Sequence, residues 1–118
     1  MKKLLLILSM LCVFSLSISA QVNVNSERSV LDYLSKNKFS TTELGAKVNL
    51  SYGYISSYNT YGIILSNSQG SNYFINVNVR SGYGYAEATG MNTKGQDFTV
   101  KITSRGDVSA GGVFFYKE

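Results

Sequence analysis

From Leu44 onward the chain alternates apolar and polar positions with a period of two. Leu44, Ala46, Val48, Leu50, Tyr52 and Tyr54 fall on one face, and Gly45, Lys47, Asn49, Ser51 and Gly53 on the other. A period of two is the mark of a half-buried strand. The same alternation returns after each turn-forming cluster, namely Ser56-Ser57-Tyr58-Asn59, Asn67-Ser68-Gln69-Gly70, Ser81-Gly82, Asn92-Thr93-Lys94-Gly95 and Ser104-Arg105-Gly106-Asp107. Short turns at this spacing make hairpins. The pattern predicts six antiparallel strands, at about 44–54, 61–66, 72–80, 83–91, 97–103 and 108–117. In the third, Tyr73, Ile75, Val77 and Val79 oppose Asn72, Phe74, Asn76, Asn78 and Arg80, so the asparagines should share a wet face. Gly111-Gly112 predicts a bulge or sharp bend in the last strand.

The period upstream is helical. Val30, Leu31, Tyr33 and Leu34 form a stripe at helical spacing. Ser26 is a good N-cap, and Glu27 lies where the helix dipole favours an anion. Lys36 and Lys38 suit the other end, and Asn37 can take a left-handed closing position. One helix is therefore expected over about 27–36, with Phe39 anchoring its exit. Val22 and Val24 alternate with polar neighbours in a short strand or leader. The small residues Ala86 and Ala88 would let the helix approach the sheet. The predicted fold class is α+β and mainly β: one N-terminal helix on a curled six-stranded antiparallel meander or small barrel.

Residues 1–20 break both patterns. Lys2-Lys3, an apolar stretch over Leu4–Leu16 and an ending Ser17-Ile18-Ser19-Ala20, with small residues where a signal peptidase needs them, describe a secretory signal peptide. The stretch is short for a membrane span of about 20 residues, so membrane contact is expected only if this segment stays uncleaved. Cys12 follows Leu11 rather than a small residue and reads as part of the apolar stretch. Removing 20 of the 118 residues leaves 98, a single small domain at 21–118. Export to the periplasm or the extracellular space is expected, and the short Lys-Lys start looks bacterial.

Composition then narrows the chemistry. The chain has no His, Pro or Trp, and its one Cys lies in the leader. Without His and Cys, the common ligands of zinc, copper and haem are missing, and no cofactor is expected. Serine nucleophiles that depend on a neighbouring His are excluded too. The seven carboxylates are scattered; Glu87 and Asp97 are the one pair considered for glycoside hydrolysis. No enzyme is expected. Without Lys2 and Lys3 the net charge falls from +4 to +2, with basic residues dispersed, which disfavours nucleic acid as a partner.

What remains is recognition. The chain has nine Tyr, several beside Gly. Tyrosine with Gly, Ser and Asn is the palette of recognition loops. The competing account, favoured by the number of Tyr on the inward face, is that the rings fill a small core. Tyr58, Tyr61, Tyr83 and Tyr85 are the candidate binding residues. Arg105-Gly106-Asp107 matches an adhesion tripeptide, although Gly and Asp are also ordinary turn residues. Asn49-Leu50-Ser51 matches a glycosylation sequon, but lies mid-strand in a chain of bacterial character, so no glycan is expected.

The layout is broadly similar to small periplasmic inhibitors of hydrolases, a likeness that no single motif carries. The expectation is a secreted or periplasmic non-catalytic binding module for a protein or carbohydrate partner, a hydrolase inhibitor among the options. The alternative is a structural surface or matrix component that forms homo-oligomers through lightly charged strand edges.

Overall fold

The computed structural model describes residues 21–118, so the expected signal peptide lies outside the described residues. The chain forms a helix, α1 (Glu27–Lys36), and eight strands: β1 (Phe39–Thr41), β2 (Val48–Ile55), β3 (Thr60–Asn67), β4 (Gly70–Ser81), β5 (Tyr85–Met91), β6 (Asp97–Thr103), β7 (Val108–Ala110) and β8 (Val113–Lys117). Each strand pairs antiparallel with the next. β1 pairs with β8 through Phe39↔Lys117 and Ser40↔Tyr116, which closes the barrel.

The predicted fold class holds, in its barrel form. Two strands go beyond the six that the pattern predicts. Phe39 does anchor the exit from α1, but it also begins β1, too short for a periodic signal. Gly111 and Gly112, at φ +57° and +81°, form a two-residue turn that splits the expected strand 108–117 into the β7–β8 hairpin, with Ala110 opposite Val113. Successive positive φ values are what a tight hairpin requires and what Gly supplies cheaply. The first long strand starts at Val48 rather than Leu44, because Thr42–Ala46 turns the chain.

A larger correction concerns β4. Its register slips between Ile75 and Asn78, with Ile75 opposite Met91 and Asn78 opposite Thr89. Asn76 sits at φ +54° in this bulge. One extra residue reverses every following side chain. Phe74 therefore faces the core on one side of the bulge, and Val79 does so on the other, opposite Ala88. The three asparagines do not share a face: Asn72 lies opposite Leu65, Asn76 is in the bulge, and Asn78 points away from the core.

The bulge marks where β4 leaves β3 and joins β5. Glycines on both neighbouring strands make room there. A Cβ on Gly62 would stand 2.6 Å from the Phe74 carbonyl oxygen, and one on Gly90 would stand 2.7 Å from it. Bare backbone at both positions lets Phe74 settle and stack on Phe98, with ring centroids 5.0 Å apart.

Small and large residues alternate inside the barrel. Ala86 and Ala88 face Ile102 and Val100 across the β5–β6 pair, and all four are buried. Their small size fits the barrel's taper; α1 packs mainly on β2 and β4 rather than chiefly over Ala86 and Ala88 on β5. Ser26 caps the helix by accepting a hydrogen bond from the Ser29 amide at 3.2 Å. Asn37 does not turn left-handed. It is extended at φ −126°, and its side-chain amide donates to the Tyr33 carbonyl at 2.8 Å. Val30 and Leu34 enter the core, and the segment before the helix does so too. Val22 and Val24 are buried; the Val22 amide donates to the Ser104 carbonyl and the Ser81 hydroxyl to the Val24 carbonyl.

Candidate functional site

The core is built from Val, Ile, Leu, Phe and Ala, and none of the nine tyrosines is buried. The expectation that tyrosine rings fill the core is corrected in part: Tyr33 and Tyr52 pack against it half-buried, and the others lie outside it. The reason lies in the β2–β3 hairpin. Its register places Leu50 opposite Leu65, Tyr52 opposite Ile63 and Tyr54 opposite Tyr61. These six side chains share one face. The Leu50 end is buried within the barrel, whereas the Tyr54 end runs past the point where β4 departs and emerges into water.

Three tyrosines meet on that emerging end. Tyr52 and Tyr61 are near parallel, with centroids 6.0 Å apart and planes 27° apart. Tyr54 meets Tyr61 edge-on at 5.5 Å. The Tyr54 hydroxyl donates to the Asn59 side-chain oxygen in the turn. Tyr54 and Tyr61 remain 52% and 56% exposed.

The polar side of α1 lies beside these rings. Glu27, Arg28, Leu31, Asp32 and Ser35 line one wall of an open groove of about 660 Å³, with Tyr52 and Tyr61 on the other. Leu31, expected in the core, lines this wall instead. Burial raises the Tyr52 phenol above its usual value, and the Glu27 carboxylate and Tyr61 push it the same way. None of the three charged helix residues forms an ion pair among the described residues. The groove thus combines flat π-faces with two carboxylates, a guanidinium and a hydroxyl.

The four tyrosines singled out from the sequence do not converge. Tyr61 is in the groove. Tyr58 leans edge-on against Tyr73, with centroids 5.9 Å apart, beside the β5–β6 turn. Tyr83 stands fully exposed at the tip of the β4–β5 loop. Tyr85 lies on the outer face under the Lys101 ammonium, 4.7 Å from its ring centre.

Arg105-Gly106-Asp107 does form a hairpin tip, with Arg105 and Asp107 exposed. The tip is held down rather than projecting. Tyr33 donates its hydroxyl to the Gly106 carbonyl at 2.7 Å, and the Asp107 amide donates to the Thr103 hydroxyl at 3.1 Å. Burial, with Asp107 nearby, raises the Tyr33 phenol.

Glu87 pairs with Lys101, whereas Asp97 lies opposite Met91, four residues further along β5. At strand rise that is about 13 Å, wider than the carboxylate spacing of glycosidases. Among the described residues no cluster of three potential metal ligands occurs.

Tyr52, Tyr54 and the α1 carboxylates were not among the sequence candidates. One signal for them was present: a turn at Ser56–Asn59 fixes the hairpin register and places Tyr54 opposite Tyr61. The helix side of the groove comes from a distant part of the chain and left no such signal. Compared with models of known families, with curated proteins and with solved structures, the chain matches none.

Proposed function

We propose that this is an exported, non-catalytic recognition module, and that it captures a protein or carbohydrate partner through the tyrosine groove between α1 and the β2–β3 hairpin. The observation that carries the reading is the exposed tyrosine cluster beside α1. Tyr54 and Tyr61 hold large ring surfaces in water, and Tyr61 with Tyr52 lines a groove whose Glu27, Arg28 and Asp32 form no ion pair among the described residues. Exposed aromatic area of this kind commonly marks a contact surface. Tyrosine suits the task because its ring is rigid and its hydroxyl tolerates water.

The alternative, a matrix component joined through strand edges, is weaker because the β1–β8 pairing closes the ring and leaves fewer edges to share. The test is affinity capture from the producing cells' own secretions, with partners identified by mass spectrometry. Wild-type protein and the Tyr83→Ala variant should retain the same partner, and Tyr61→Ala should lose it. Equal capture by all three would refute the groove as the binding surface.

A further inference from the structure

We propose that the groove's ligand is a neutral oligosaccharide, an inference that rests on the recognition reading and assigns its ligand class. Two features of the groove point the same way. The first is the platform. Tyr52 and Tyr61 are near parallel, with planes 27° apart and centroids 6.0 Å apart, and both line the groove. A pyranose ring has an apolar C–H face that lies flat on an electron-rich ring face. A compact cation would be better held by rings at right angles around an empty centre. Here the right-angle pair, Tyr54 and Tyr61, is already in mutual contact at 5.5 Å.

The second feature is the opposite wall. Along the exposed side of α1, Glu27 and Asp32 offer acceptors, Arg28 offers donors, and the Ser35 oxygen, its hydrogen given to the Asp32 carbonyl, offers one more acceptor. Sugar hydroxyls donate and accept at once, and a wall with both polarities can satisfy them. A cationic peptide would meet Arg28, and an anionic one would meet Glu27 and Asp32. A neutral polyol meets no opposing charge. The groove volume of about 660 Å³ falls within the usual range for small-ligand sites. The charged groups of this wall have no ion-pair partner among the described residues, and Ser35 keeps only its acceptor side open.

The experiment is a titration of the purified protein with cellohexaose, chitohexaose and maltohexaose, followed by two-dimensional NMR. Hexalysine serves as a charged comparison. At least one hexasaccharide should shift the Tyr52, Tyr61 and Asp32 signals saturably. Tyr61→Ala should weaken that binding by roughly tenfold, and Tyr61→Phe should keep most of it. Asp32→Asn, an exposed change that leaves the fold alone, should weaken binding severalfold. Tyr83→Ala should have no effect. The glycan assignment is overturned if no hexasaccharide binds, if one binds away from the groove, or if hexalysine alone occupies it. In the last case the recognition reading survives and only the ligand class falls. If the groove takes neither probe and Tyr61→Ala also leaves partner capture intact, both fall together.

Discussion

Tyr33 ties three parts of the molecule together. It lies in α1, its ring meets Phe39 at 5.7 Å, and its hydroxyl bonds the Gly106 carbonyl across the β6–β7 turn. Tyr33→Phe keeps the ring and removes that bond, so it should lower stability by about 1 kcal/mol in urea unfolding. Tyr33 and Tyr52 also predict a pH dependence. Burial is the main cause that raises both phenols above 10.0. The folded state therefore favours the neutral form, and the resulting stability is intact below pH about 10. It is lost as the pH rises through the folded values. The urea midpoint should stay level between about pH 8 and 9 and fall above 10, with a smaller fall in Tyr33→Phe and Tyr52→Phe. The tyrosine content was legible from the sequence, but the position of each ring was not. Tyr52 and Tyr54 carry the same inward alternation as Leu50, and only the end of the barrel wall separates buried from exposed.

At the scale of elements, the turn of β4 decides the architecture. Gly62→Ala and Gly90→Ala each push a Cβ into the Phe74 backbone and should cost about 1–3 kcal/mol. Gly53→Ala meets no atom within 4 Å and should be close to neutral. Asn76→Val, which places a β-branched residue at φ +54°, should cost about 1–2 kcal/mol. Thermal unfolding of these four variants reads the whole set. Period counting recovered α1 and the long hairpins because each repeats over many residues. It misread the β4 faces because one inserted residue reverses them without altering the local pattern, and it missed β1 because three residues carry no period.

At the scale of the whole molecule, cohesion has no covalent help, since the only Cys falls in the expected leader. Ring closure, the α1 face and the buried valines before it must suffice. Val24→Ala should therefore destabilise the entire domain rather than fray one end, by about 1–2 kcal/mol, visible as a shift of a single cooperative transition. The sequence predicted curling, but a six-strand reading could not decide between an open sheet and a closed barrel. That choice rests on the contact between β1 and β8, which lie at opposite ends of the strand order. Closure also positions the groove, because it leaves the far end of the β2–β3 hairpin outside the wall beside α1. The most direct test is a NOESY spectrum of the isotope-labelled protein. It should show cross-strand backbone contacts between Ser40 and Tyr116 and between Phe39 and Lys117. Well-resolved strands with no contact between those residues would mean an open sheet and would contradict the closed barrel.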